Sequence, residues 1–380
     1  MRQSGGFRSG LRVALIALVS TLWCAVAALS HEVRPSVADV TVGAAQMEAR
    51  IQLTAEPLVA GIDLSEITDT NDAPEAELYD QLRALPPEEL AVRFQAAWPA
   101  ISAGLVAEVD GTELAWEFVG IEVGAEADLE LPRDSLLTAI VSLPEGDAPV
   151  SVGWTASYGP LIVRQIAEDG GYSDYLSGGV LSAPLPRSGA AVVGVWETFA
   201  GYVVLGFEHI VPKGLDHILF VLGLFFYSLA WRPLLFQVTA FTAAHTVTLA
   251  LATLGIVNLP SSIIEPLIAA SIVYIAIENI IGGQIGWRRV AIVFAFGLLH
   301  GLGFASVLGD IGLEPARFIT GLIGFNIGVE LGQIAVILAS FILVGLPFGR
   351  KSWYRQAIAV PGSVAIGAVG AFWFVERVFL

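Results

Sequence analysis

The sequence predicts a multi-span α-helical membrane bundle of about six transmembrane helices, preceded by a β-rich, sandwich-like domain outside the membrane. Three observations predict it. The 380 residues are 55% hydrophobic and 14% charged, with a mean hydropathy of +0.71, too apolar for an ordinary soluble domain. The apolarity is also uneven. Residues 31–190 hold 27 of the 36 acidic residues against 7 Arg and no Lys, whereas the long apolar runs fall in residues 191–380. Within the acidic part, apolar and polar positions alternate with the period of a half-buried strand.

Residues 1–30 read as a signal peptide. Arg2, Arg8 and Arg12 precede the apolar run Val13–Val19, which continues to Leu29, and small residues follow at Ala25, Ala27, Ala28 and Ser30. That order matches a cleaved secretory signal, while Leu11–Leu29 is also nearly long enough for an uncleaved anchor. The sole cysteine, Cys24, lies inside this segment, so the mature chain has no thiol and no disulfide. Cleavage after Ser30 places a free amine beside the His31 imidazole. Those two nitrogen donors together chelate a metal such as copper or nickel, with Glu32 as a further ligand. The alternative is that His31 merely opens the first strand.

Strand patterns follow. Val37, Val40 and Val42 lead into Met47, Ala49, Ile51 and Leu53, which alternate with polar neighbours. Further alternation runs through Leu105–Val109, Leu114–Val119, Leu129–Leu131, Leu136–Leu143 and Val150–Trp154, punctuated by Asp110-Gly111 and Glu145-Gly146-Asp147. Between Pro74 and Ala97 the spacing is helical, through Leu78, Leu82 and Leu85. Residues 31–167 thus read as a small antiparallel sandwich with one helical insertion. Residues 168–190, rich in Gly, Ser and Pro, read as a linker to the membrane domain of residues 191–380.

Six spans fit that domain: Gly214–Trp231, Leu234–Ile256, Ile263–Gly282, Val290–Leu308, Phe318–Leu346 and Ala357–Val375, each near the ~20 residues a helix needs. Val192–Phe207 is shorter and carries Glu197, so it reads as an interfacial or re-entrant helix that delivers His209. With the first domain outside, the inner loops hold Arg232, Arg288, Arg289, Arg350, Lys351 and Arg355. The outer segments carry Arg187, Lys213, Arg317 and Arg377. The bias is positive-inside, and it reverses if the short segment spans. A multi-pass protein of a bacterial-type inner (plasma) membrane follows, with its N-terminal domain extracytoplasmic.

The chemistry sits in these spans. His209, His217, His245 and His300 lie inside or beside apolar stretches, together with Asp216, Glu278 and Glu330. Ionisable groups are costly there and usually face a bundle interior or a pathway. Imidazole and carboxylate are also the donors a divalent transition metal takes. Pro212 and Gly214 break the chain before Asp216 and His217, which then share an opening helical turn. One of that pair can ligate while the other orients a histidine, or Asp216 can simply cap the helix. His245 lies midway along its helix with Thr242 and Thr246 in reach of the same face. His300 stands beside Gly297, Gly301 and Ala305, a stripe that lets another helix approach closely. Asn326, Glu330 and Gln333 follow at spacings of four and three, a polar stripe on one helix. Each buried carboxylate needs a cation, supplied by protonated histidine or by a metal.

Four motifs carry a family resemblance. Gly214-Leu-Asp216-His217-Ile-Leu-Phe, Phe241-Thr-Ala-Ala-His245-Thr-Val-Thr-Leu, Leu299-His300-Gly-Leu-Gly-Phe and Phe325-Asn326-Ile-Gly-Val-Glu330-Leu-Gly-Gln333 together resemble the HupE/UreJ membrane proteins. The resemblance covers about residues 200–375 and implies metal transport, since that family is associated with nickel uptake for hydrogenase and urease. The secreted domain and its leading His31-Glu-Val-Arg-Pro look like the longer members. Nickel/cobalt permeases have a related His-rich motif ending in Asp-His, but six residues separate His209 from Asp216 here, a longer gap.

The expected function is a permease, not an enzyme, moving a divalent transition metal inward, nickel or cobalt with zinc possible. Metal-binding residues are expected at His209, Asp216, His217, His245, His300 and Glu330, and pathway-lining ones at Thr242, Glu278, Asn326 and Gln333. No Gly-rich Lys-Ser/Thr phosphate loop argues for ATP, and so acidic a first domain argues against nucleic acid. Two alternatives use the same features: an intramembrane zinc hydrolase on His217, His245, His300 and Asp216, and a receptor or assembly factor acting through the outer domain.

Overall fold

The computed structural model describes residues 35–379 except 66, 68–69, 126–132, 168–169, 192–193, 258, 283–285 and 304–314. The signal peptide of residues 1–30, His31 and the expected strand Leu129–Leu131 lie outside the described residues. The chain divides into two compact units, one mainly of residues 27–198 and one mainly of residues 199–306 and 319–380.

Alternation builds the first unit. Strands β1 (Ser36–Val42) and β2 (Gln46–Thr54) pair antiparallel, and Met47, Ala49, Ile51 and Leu53 all face inward as their spacing requires. A short helix α1 (Ala55–Ala60) follows, then α2 (Ala76–Arg83) and α3 (Pro87–Ser102). The single expected helical insertion is therefore two helices. Pro86 and Pro87 end the first and preset the opening turn of the second. Next come β3 (Leu105–Val109), β4 (Thr112–Glu113), β5 (Trp116–Val123), β6 (Asp134–Ser142), β7 (Ser151–Trp154), β8 (Leu161–Ala167) and β9 (Gly170–Leu176). Six of the strands form one sheet in the order β5-β6-β2-β1-β8-β9, antiparallel except for the β1–β8 pair, and β4-β3-β7 form a second. Both sheets and α3 share one core, in which Leu90, Phe94, Val152, Leu137 and Val163 are all buried.

The stretch expected to be a linker belongs largely to this unit. Gly170–Leu176 pairs along β8, with Tyr172 and Leu176 buried, and Leu185 bridges to Val150. Arg187 then ties the loops together, donating to the carbonyls of Ala44, Pro144, Gly146 and Ala148. Composition alone marked this stretch as loop, but its few apolar residues and one guanidinium give it a place in the fold. In α1, Glu56 is fully buried and paired at 2.8 Å with Arg133, whose guanidinium also reaches Leu82 O and Leu85 O.

The second unit is helical: α4 (Val195–Ile210), α5 (Leu215–Tyr227), α6 (Trp231–Thr253), α7 (Ser261–Ile281), α8 (Trp287–Gly303), α9 (Pro315–Ser340) and α10 (Val360–Phe379). Among the described residues, four helices are long and apolar enough to cross a membrane: α6, α7, the continuous run Phe318–Phe348 that includes most of α9, and Arg355–Phe379 around α10. The first expected span, Gly214–Trp231, is only the 13 residues of α5, about 20 Å of helix against a hydrocarbon core of about 30 Å. Together with α4, to which it is bent by 71°, it passes the same test as a broken pair. Described helix α8 has 17 residues and ends where residues 304–314 begin.

Glycine sets the closest approaches. A Cβ on Gly297 or Gly301 would collide with the backbone oxygens of Phe241 and His245, so α6 and α8 pack backbone against backbone. Gly206, Gly324 and Gly328 do the same between α4 and α9.

Candidate metal site

The break between α4 and α5 brings two histidines face to face. His209 closes the last turn of α4 and His217 opens the first turn of α5, and their ring centroids lie 4.8 Å apart. The tight α6–α8 packing adds His245 and His300. His245 lies 5.8 Å from His217 and 6.0 Å from His209, and His300 lies 4.8 Å from His217, centroid to centroid. Among the described residues, the ligand atoms of His209, His217 and His245 all fall within 4.8 Å of one another. That is the spacing at which three imidazoles can share one ion.

The rings are aimed by their other nitrogens. His217 Nδ1 meets Asp216 Oδ1 at 3.0 Å, and the same oxygen accepts the His217 backbone N–H at 2.8 Å. His245 Nδ1 lies 3.3 Å from Asn326 Oδ1, and Asn326 turns that oxygen inward because its amide nitrogen donates to Leu322 O. His300 Nδ1 lies 2.9 Å from Phe296 O. All three partners are acceptors, which assigns a proton to Nδ1, and in the neutral ring Nε2 is then the nitrogen with the lone pair. The Nε2 atoms of His217, His245 and His300 are buried and meet no hydrogen-bond partner among the described residues. Buried polar atoms are normally satisfied, so three such nitrogens in one place point to a ligand.

Apolar walls enclose them. Phe241 packs edge-on to His217 and His300, Phe220 lies against His300, and Phe325 covers His209 and His245. Phe220, Phe241 and Phe325 are themselves buried. These residues stood in the sequence motifs without a role. Their ordinary apolar character hid that they form the walls of a polar site.

The remaining candidates spread outward. Asp216 orients His217 rather than joining the three imidazoles. The Thr242 hydroxyl is shared between Gln333 Oε1 and Val238 O, each at 3.1 Å, and, one turn along, Thr239 donates to Glu330 Oε1 at 2.6 Å. With the His245–Asn326 contact, these pairs make a row of polar bridges between α6 and α9. Glu330 sits in that row, outside the histidine cluster. Glu278 is farther away and is paired with Arg289, which also meets Gln237 Oε1 and Asn279 Oδ1. This corrects two expectations. The cation serving Glu278 is an arginine, and Arg289 is a buried residue of α8, not a loop charge. The signal was available: a carboxylate near one end of α7 required a cation at that depth, and the Arg288-Arg289 pair opens the next helix.

Fold and site define a multi-pass membrane protein with a buried cluster of histidines. A family profile described as HupE / UreJ protein matches residues 188–377, which takes in the whole helical unit but its last residues. The chain belongs to the HupE/UreJ family, which is associated with nickel and cobalt transport. Neither a curated protein nor a solved structure matches it.

Proposed function

We propose that the chain is a permease that carries a divalent transition metal, nickel or cobalt, inward through the His209–His217–His245 cluster. One observation carries the reading: imidazoles from three helices, each of two held at Nδ1 by an acceptor, converge within ligand distance in an apolar enclosure. Imidazole suits nickel and cobalt, and zinc is a third cargo that fits the same donors. His300, next to His217, gives the ion a fourth nitrogen as it moves, and the α6–α9 row of Thr242, Gln333, Asn326 and Glu330 lines the way.

The reading takes the bent α4–α5 pair as one crossing and adds α8 to the four long helices, six crossings in all. The ends of α5 and α7 and the starts of α6 and α8 then share one side with Arg232, Arg288, Arg350, Lys351 and Arg355. The positive-inside rule makes that side cytoplasmic. Residues 1–30 are removed, the N-terminal unit is extracytoplasmic, and the protein resides in a bacterial-type inner membrane. An inside-negative potential then supplies about 4.6 kcal/mol per 100 mV for a doubly charged ion. A zinc hydrolase on the same histidines needs a base beside the ion, and Asp216 is committed to His217.

Purified protein reconstituted in vesicles, offered nickel, cobalt and zinc with an imposed potential, tests the reading. Uptake of nickel or cobalt should follow the potential and vanish in His217→Ala and His245→Ala. Wild-type rates in both variants refute the proposal.

A further inference from the structure

Arg289 is 2% exposed in the helical unit, at the end of the bundle away from the histidines. Gln237 precedes His245 by eight residues and Arg289 precedes His300 by eleven, so the two clusters are about 12–16 Å apart along α6 and α8. Phe220, Phe241, Phe296 and Tyr274 form a run of tilted and edge-on ring contacts, with neighbouring ring centroids 5.0–6.0 Å apart.

The surroundings of Arg289 are built for a cation. Its Nε donates to Gln237 Oε1 at 2.9 Å, Nη1 to Glu278 Oε2 and Nη2 to Asn279 Oδ1 at 3.5 Å. Its guanidinium carbon lies 3.6 Å from the centroid of the Tyr227 ring. Both amides are pinned with nitrogen turned away and oxygen turned in. Gln237 Nε2 donates to Pro233 O, and Asn279 Nδ2 donates to Gly223 O at 2.7 Å and to Ser363 Oγ at 3.0 Å. Stability alone does not call for this arrangement, since a buried ion pair is often no more stabilising than packed apolar residues. What the arrangement provides is a preformed set of oxygen ligands of net charge −1.

We propose that Gln237 Oε1, Glu278 Oε2 and Asn279 Oδ1, beneath Tyr227, form a second cation station, which Arg289 fills as a tethered cation. A divalent ion enters when the guanidinium withdraws, and Arg289 otherwise bars the station by like charge. Its ligands are all oxygen, which suits hard cations and holds nickel or cobalt less tightly than imidazole does. An ion passing from nitrogen to oxygen donors moves from tight to weak binding, the order that favours release. That role in release rests on the permease reading; the existence of the station does not.

The test therefore measures binding. Full-length protein in detergent is titrated with Mn2+, an oxygen-preferring divalent probe, and bound ion is counted by electron paramagnetic resonance. Arg289→Ala should bind one more Mn2+ per chain than wild type, and the gain should disappear in Arg289→Ala with Glu278→Gln. No gain in Arg289→Ala overturns the proposal. If Arg289→Ala is recovered unfolded, it is prepared again with millimolar guanidinium or Mn2+ throughout. Recovery of the fold by either ion supports the station, because a free cation has replaced the tethered one. Failure with both overturns it. Absence of nickel and cobalt uptake by wild type would defeat the permease reading and leave the Mn2+ result standing.

Discussion

Replacing Asp216 with Asn separates the charge of that residue from its shape. The amide oxygen can still accept the two N–H groups of His217 that now reach Oδ1 at 2.8 and 3.0 Å, so the ring should keep its direction. The negative charge is lost. A divalent ion on His217 Nε2 would stand about 7 Å from the carboxylate, and at an effective dielectric of 20 their attraction is about 5 kcal/mol. The side chain is 25% exposed, and solvent screens part of that sum. Removing partners that orient metal-bound histidines typically costs about 10–100-fold in affinity, or about 1.4–2.7 kcal/mol. The Coulomb figure exceeds that range even after screening, so Asp216→Asn should fall at its upper end, near a hundredfold loss. Asn326→Leu removes an uncharged acceptor from His245 and should fall at the lower end, about tenfold.

Cobalt titration of the purified protein, followed by its visible absorption and by calorimetry, reads both effects. The band position reports ligand type and number, and the isotherm reports affinity. Asp216→Asn should keep the band and weaken the isotherm. Equal affinity in Asp216→Asn and wild type would refute the argument that Asp216 acts through charge. A weaker effect than that of Asn326→Leu would refute the ranking.

Three further outcomes are expected. Gly301→Ala places a methyl group against His245 O and Thr248 Oγ1, so α6 and α8 must part, at a cost of about 1–3 kcal/mol visible as a lower melting temperature. Arg133→Ala leaves the fully buried Glu56 without its cation and should cost about 3–5 kcal/mol in denaturant unfolding of the N-terminal unit, most of it recovered by replacing both residues with Leu. Burial raises the carboxyl of Asp174 above its ordinary 3.8, against hydrogen bonds from Tyr172 and Tyr175 that act to lower it. The folded state therefore binds that proton more tightly than the unfolded chain, and its contribution is lost as pH rises through the raised value. Asp174→Asn should then melt higher than wild type at neutral pH, with the difference vanishing in acid. A constant difference across the titration would exclude this origin.

Much of the fold was legible because solvent writes it into the sequence. The alternation at Met47, Ala49, Ile51 and Leu53 is a strand with one face in water, and β2 has that burial pattern. The apolar runs that became α6 and α7 needed only length and composition. Gly297 and Gly301 announced the close helix contact, which the positions of Phe241 and His245 bear out. What failed depended on partners distant in sequence. The composition of residues 168–190 shows glycine, serine and proline but not β8, whose backbone makes Gly170–Leu176 a strand. From the sequence Arg289 reads as a loop charge and Glu278 as a carboxylate served by metal, histidine or solvent at the interface, and only the packing of α7 against α8 joins the two. The acceptors at Nδ1 were half legible. Asp216 adjoins His217 in sequence, whereas Asn326 reaches His245 across eighty-one positions.

Those acceptors bear on why the cluster is made of histidine. A membrane interior penalises fixed charge, and three carboxylates in place of the imidazoles would need compensating cations whenever no ion was bound. Neutral imidazole avoids that cost, provided its N–H has a partner, and Asp216, Asn326 and Phe296 O supply partners on the far side of three rings. Only Asp216 among these carries charge, and it is a quarter exposed. The cluster is thus inexpensive to keep empty, and it discriminates by donor type. Magnesium and calcium, which prefer oxygen ligands, gain little from imidazole nitrogens, whereas nickel and cobalt gain more. If this is right, converting His245 to Asp should shift binding in favour of Mn2+ over Ni2+, because an oxygen replaces a nitrogen at the most buried corner of the cluster. An unchanged preference in that variant, measured by competition between the two ions, would show that selectivity arises elsewhere on the path.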